Sequence, residues 1–404
     1  MQRSRLIIAT VLAAMLCVGS RAQGIPSEQS TRVIAQPEPV RVAIDHLRNL
    51  EYEPAKLGLE AWLKEHPEAL CAWNYLAIAT LYEEMFRQGV LESKVYGEGG
   101  EVFKPSKVPV TPEFQKELFA VLDKAQTLAD ERLKKDPKDE EAMYWAGVTH
   151  GTRATYHFTL RKEYTPALRE ATAAYKQHKQ LLKLDPGYVD AYLIVGVNNY
   201  VVGSLPWYLK MMASLTGRHG NRAEGLRQIE RVTREGHYAR EDAQLVLAVL
   251  YQREKMFAEA LPLYQHMATA YSRNYLLAQE VGTLYGLVGD WTNAAREYDT
   301  ILAKYQAGQP NFDKMPAAPM FFLAGQAHDR QGDSERALVL YNQAAQAPGD
   351  NKYRYKADLA AAELEARMNR TANAREHYQR IAEAAPDTEE GKLAKKALKR
   401  LPPP

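Results

Sequence analysis

The sequence predicts an all-α chain: a right-handed superhelical solenoid of about eight helix pairs, closed by a C-terminal capping helix. Three observations lead there. Two stretches, starting at Glu241 and at Tyr275, repeat one another in 34-residue phase. Proline ends a run of helix-forming residues at recurring places, Pro67, Pro137 and Pro186, because it disfavours a helical residue before it. A chain of 404 residues is also too long for one ordinary core, while 46% hydrophobic and 25% charged residues mark a folded chain and not a disordered one.

Counting from Glu241, positions 7, 8, 11, 20, 24 and 27 hold Leu247, Ala248, Tyr251, Ala260, Tyr264 and Met267. Counting from Tyr275, the same positions hold Val281, Gly282, Tyr285, Ala294, Tyr298 and Ile301. Small residues at 8 and 20 let two antiparallel helices approach, and aromatic residues at 11 and 24 fill the space between layers. This pattern resembles the tetratricopeptide repeat. The register continues downstream through Gly325, Ala337 and Tyr341, then through Ala362, Ala374 and Tyr378. Upstream it passes through Gly196, through Gly147 with Ala174 and His178, and through Ala77 with Ala125 and Ala129. A first, degenerate unit holds Ala55, Leu59 and Trp62.

Residues 1–22 read as a signal peptide. Arg3 and Arg5 precede an apolar run from Leu6 to Val18, and Ser20 and Ala22 are small residues suited to cleavage after Ala22. The run falls short of the ~20 residues that span a bilayer as a helix, so the expectation is a periplasmic or secreted protein. Segment 23–38 reads as a flexible lead-in. Then follow 39–137, N-terminal units with a loop insertion at 86–112, and 138–240, extended units with an apolar insertion at 202–222. Regular units fill 241–386, and 387–404 is a capping helix with a proline tail. Removing the three leader arginines from 52 basic residues leaves 49 against 50 acidic ones. A near-neutral chain gives no reason to expect nucleic acid as a partner. Cys71 is the one cysteine outside the leader, which rules out an intramolecular disulfide and a Cys-based zinc site.

The sequence holds no GxSxG, phosphate-binding glycine loop, HExxH or CxxC, so no catalytic residue, cofactor or metal is assigned. His46, His150 and His328 fall at position 11 and read as packing side chains with one hydrogen bond each. The tetratricopeptide resemblance implies a groove lined by positions 5 and 9. These hold Tyr144 and Val148, Leu193 and Val197, Leu245 and Val249, then Gln279 and Thr283. The Lys, Asn and Arg that clamp a carboxylate in some members are missing, so the groove suits an apolar or aromatic-bearing segment. Asn198 and Asn199 end an apolar helix and either grip a peptide backbone or, the favoured reading, satisfy the neighbouring insertion.

The 202–222 insertion carries Leu205, Pro206, Trp207, Tyr208, Leu209, Met211, Met212 and Leu215 with little charge. It reads first as a plug against the solenoid, then as a docking surface built on Trp207, Tyr208, Met211 and Met212, and last as a peripheral membrane contact. Together, GVNNYVVGSLPWYLK and GRHGNRAEGLRQIE resemble bacterial relatives of a eukaryotic tetratricopeptide family linked to inclusion-body clearance, a resemblance that implies no catalytic residue. The favoured function is a non-catalytic scaffold holding a protein or peptide, with Tyr144, Leu193, Val197, Asn198, Leu245 and Val249 as groove contacts. A binding module for a hydrophobic small molecule or lipid, with the insertion as its lid, stands second. An enzyme built on His150, Arg153, Tyr156, His157 and Asn199 stands third.

Overall fold

The computed structural model describes residues 36–91, 109–204, 220–348 and 351–402, the side chains of 351 and 352 excepted. Most of the leader and lead-in, most of both insertions, and Trp207, Tyr208, Met211 and Met212 lie outside the described residues. The described residues form an all-α solenoid of seventeen helices. None of these helices is long and apolar enough to cross a membrane. The chain divides into two units, the first ending at Tyr271 and the second starting at Ser272.

The first unit holds five helix pairs: α1 (Glu38–Arg48) with α2 (Tyr52–Glu65), α3 (Leu70–Arg87) with α4 (Pro112–Lys135), α5 (Glu140–Thr155) with α6 (Tyr164–Leu184), α7 (Tyr192–Gly203) with α8 (Arg222–Glu235), and α9 (Arg240–Arg253) with α10 (Phe257–Ala270). The second holds three: α11 (Tyr275–Leu287) with α12 (Trp291–Gln306), α13 (Ala317–Gln331) with α14 (Ser334–Gln346), and α15 (Asn351–Arg367) with α16 (Thr371–Ala384). The last helix, α17 (Glu389–Leu398), follows them. Just before α1, which starts at Glu38, Gln36 Nε2 donates to the Tyr75 hydroxyl at 3.1 Å.

Two kinds of turn alternate, and the sequence explains both. Within a pair the first helix ends in a Schellman-type bond and a left-handed residue, as at Leu50, Lys255, Gly332 and Asn369. There the amide of Glu51, Met256, Asp333 or Arg370 bonds the carbonyl of position 11, which is His46, Tyr251, His328 or Glu365. Between pairs, a proline occupies the second place of a four-residue turn, with Ala69 N–H bonding His66 O, Asp139 bonding Asp136, Tyr188 bonding Asp185 and Thr388 bonding Ala385. Side-chain N-caps at Thr111, Asp139, Asn221, Asn274, Asp290, Asp333 and Thr388 start the next helices, each contributing about 1 kcal/mol.

The small-residue positions do what close helix approach requires. Ala260, Ala294, Ala337 and Ala374 have no exposed surface. A Cβ added to Gly282 would sit 2.9 Å from the Tyr298 ring, so position 8 is cut to fit the aromatic at position 24 of its own pair. On α17, Ala394 is buried and Leu398 packs, with Leu401 just beyond the helix, on the cluster of Ala374, Tyr378 and Ile381, whereas Leu393 is 44% exposed. The expected long helical pair of the third unit departs from regularity: α5 runs into a π-helical turn, Tyr156–Arg161. Thr149, Thr152, Thr155 and Thr159 each bond the carbonyl four residues back, a habit that loosens and bends a helix.

The first unit includes α9 and α10 together with the first four pairs. The physical link is Arg48, a cation on the buried face of α1. Its guanidinium donates to the Tyr271 hydroxyl at 2.9 Å, pairs with Glu241 and lies over the Tyr271 ring.

Candidate functional site

The sequence-derived contact residues of the first unit sit inside it. Tyr144, Leu193, Val197 and Leu245 are buried, and Val148, Asn198 and Val249 are half-exposed. Surfaces already covered by the chain itself are not open groove walls. The cause is an aromatic fill. Tyr144 stacks on His178 at 5.2 Å and on Tyr238 at 5.6 Å, and Tyr238 also meets Trp145 at 5.1 Å, which meets Tyr75 at 5.7 Å. Aromatic pairs at these separations are favourable beyond the area they bury.

Tyr238 comes from the short connection between α8 and α9, and a buried carboxylate fixes that connection. Asp190 Oδ1 accepts the backbone N–H groups of His237 and Ala239, both at 2.8 Å. Burial raises the Asp190 carboxyl above its usual range, against the pull of those amides. Asp242 lies in the same interior. Its Oδ1 is shut from solvent with no hydrogen-bond partner, although the residue as a whole is half-buried. Burial pushes its carboxyl up to about 7, with Arg48 pulling down and Asp190 pushing further up. Sequence reading missed Asp190, Asp242, Tyr238 and Arg48. A visible signal existed only for Arg48, which follows the apolar stripe Val40, Ala43, Ile44 and Leu47.

Four of the five residues weighed as an enzyme centre are engaged in pairs, while the Tyr156 hydroxyl is buried without a hydrogen-bond partner. His150 Nδ1 lies 2.7 Å from Glu170, His157 Nδ1 lies 2.8 Å from Glu163, and Arg153 bonds Asp123 at 2.7 Å. Asn199 donates to Gln228 of α8 at 2.9 Å, a partner that neither reading of the Asn pair named. His46 and His328 likewise meet Glu51 at 2.6 Å and Asp299 at 3.0 Å. The described residues include no group of three or more His, Cys, Asp or Glu spaced to hold a metal.

In the second unit, α14 and α16 flank a groove of 810 Å³ whose other lining residues come from α15. Polar side chains dominate it: Asn342 and Gln346 from α14, Asp358 and Glu365 from α15, His377 and Arg380 from α16. Asp358 is buried, 3.1 Å from His377 Nδ1 and 3.0 Å from Arg380 Nε. Burial alone would raise its carboxyl, but the His377 and Arg380 contacts outweigh it and hold the group below the usual carboxylate range. No groove expectation reached these residues, because the position-5 and position-9 pattern points to a different face of the pairs.

The eight described helix pairs form an all-α solenoid in which five pairs carry a ring at position 24, His178, Tyr264, Tyr298, Tyr341 and Tyr378, against small residues at positions 8 and 20, a pattern that resembles the tetratricopeptide repeat. Neither a protein-family model nor a curated protein matches the chain. Among solved structures it is similar to a tetratricopeptide repeat protein from Parabacteroides merdae, at 14% identity over 79% of this chain and 96% of that one, TM-score 0.29. It is similar to yeast Tom70 at 13% identity over 90% and 88%, TM-score 0.35. A human IFIT1 dimer with m7Gppp-AAAA is similar at 13% identity over 98% and 85%, TM-score 0.40.

Proposed function

We propose that this protein is a non-catalytic scaffold that holds a protein or peptide segment outside the cytoplasm. One observation carries the reading. The first unit fills its interior with its own aromatic rings, while the second keeps an open groove of 810 Å³ lined by groups that both donate and accept hydrogen bonds. A polypeptide segment matches that demand, since every residue but proline offers one donor and one acceptor on its backbone. The extracytoplasmic half rests on the leader alone, and N-terminal sequencing of the fractionated protein tests it: a mature end at Gln23 supports it, and an intact Met1 end in the cytosol overturns it.

For the scaffold itself, a photo-crosslinking residue at Asn342 in the cell, followed by mass spectrometry, is the direct test. A discrete protein adduct, competed by excess unlabelled chain, is the expected result. Adducts confined to the chain itself, from Asn342 and equally from Trp207, would overturn it.

A further inference from the structure

We infer that the groove between α14 and α16 takes a basic segment of its partner, with a Lys or Arg side chain directed at Glu365 and Glu376. This deepens the scaffold reading and rests on it. The groove lining carries three carboxylates, Asp358, Glu365 and Glu376, and two guanidiniums, Arg354 and Arg380. Both guanidiniums are engaged, Arg354 through its Nε. Arg380 is spent on Asp358, and Arg354 Nε donates to the Ala345 carbonyl at 2.9 Å, where it closes the end of α14. The carboxylates are less well served. Glu365 is 7% exposed, and its Oε2 is shut from solvent and accepts no hydrogen bond. The cation nearest that oxygen, Arg370 Nε, stands 3.8 Å away and spends its two terminal nitrogens on Glu335. The other oxygen, Oε1, receives only a long 3.4 Å contact from the exposed Asn373 amide. Glu376 lies one helical turn from Asn373, exposed at the groove rim.

A buried carboxylate with an unfilled acceptor costs free energy in the empty protein. A ligand cation that turns the loosely held Asn373 amide aside recovers that cost and gains charge-assisted hydrogen bonds. The carboxamides of Asn342 and Gln346, each both donor and acceptor, remain for the segment's backbone. An acidic segment would meet the exposed Glu376 and Glu365, whose ion-pair partner Arg370 stands 3.8 Å away, so this end of the groove discriminates by charge.

The test uses the full chain on an array of immobilised twelve-residue peptides, each printed beside a copy with Lys and Arg replaced by Gln. The expected result is capture of Lys- or Arg-containing peptides, reduced about tenfold or more in the Gln copies. Glu365→Gln should erase that preference while its melting temperature holds or rises, because an unsatisfied buried charge has been removed; a purely structural Glu365 would lower it. Glu376→Gln, at an exposed position, gives the same readout independently of folding. Capture without charge preference, or unchanged in both variants, overturns this site and leaves the scaffold standing. No capture of any peptide by the wild-type chain counts against both.

Discussion

The imidazole of His178 lies so close over Gly147 that a Cβ built on the glycine would stand 2.3 Å from its Cδ2 and Nε2. His178 occupies position 24 of its pair, where Tyr264, Tyr298, Tyr341 and Tyr378 stand in others. Its Nε2 is 3.0 Å from the Tyr144 carbonyl. Gly147→Ala must therefore displace a buried, hydrogen-bonded ring, and is expected to destabilise the first unit by about 2–3 kcal/mol in urea unfolding. Gly151, one turn along the same helix, is the control. There a Cβ would meet only Ile194 Cδ1 at 3.6 Å, an ordinary contact. Gly151→Ala should be neutral or stabilise by about 0.5–1 kcal/mol through helix propensity. Equal effects at the two sites would refute the packing described for α5 and α6.

Two buried groups make opposite demands on pH. Burial lowers His178 from 6.5 to about 4, ahead of the opposing pull of the Tyr144 and Ala191 carbonyls. Between pH 4 and 6.5 the unfolded chain binds the proton and the fold does not, so this residue's contribution is lost as pH falls through that window. Asp242 runs the other way: with its carboxyl at about 7 against 3.8 unfolded, the fold binds the extra proton, and stability is lost as pH rises from 3.8 to 7. The two shifts are similar in size, on the order of 3–4 kcal/mol each before allowance for relaxation, so these two contributions largely cancel in the wild type between pH 4 and 6.5. Asp242→Asn should raise stability at pH 7.5 and expose a steep acid loss below 6.5. A profile unchanged from the wild type in that variant would contradict the assignment.

Arg48→Met should cost about 2–3 kcal/mol, because it leaves the Tyr271 hydroxyl without its 2.9 Å donor and Glu241 without its cation. In the double variant with Glu241→Gln the losses should fall short of additivity, since one interaction cannot be broken twice. Strict additivity in thermal or urea melts would mean that the pair contributes no coupling.

In the second unit, Asp358 sets an acid limit. Its depressed carboxyl stabilises the fold fully above the unfolded value of 3.8, and that contribution is lost as pH falls through the lower folded value. Asp358→Asn should lower the melting temperature at pH 7 and flatten its decline below pH 4. Calorimetry across pH 2.5–7 reads both limbs. A parallel displacement of the whole curve would show that the charge is not the source.

The 34-residue spacing was legible because each unit repeats a contact made between its own two helices, such as Gly282 with Tyr298, sixteen residues apart. The groove contents were not. Tyr144 looks like a groove wall on a helical wheel, yet Tyr238 covers it from a connection ninety-four residues later, held there by Asp190. No periodicity reports such a pairing. Glu365 and Asp358 were overlooked for a related reason: at exposed-looking positions on a charged helix, nothing in the order of residues says which carboxylate is left wanting a partner.

The bond from Arg48 to Glu241 joins residues almost two hundred positions apart. In an ordinary repeat array each module rests only on its neighbours, so folding starts anywhere and ends fray one module at a time. Here the first described helix has its anchor in the fifth pair, and it waits through the synthesis of everything between. That raises the contact order of the unit and slows its completion. It also removes the free N-terminal end from which such arrays unravel, so the five pairs of the first unit should open together, as a ring does when cut.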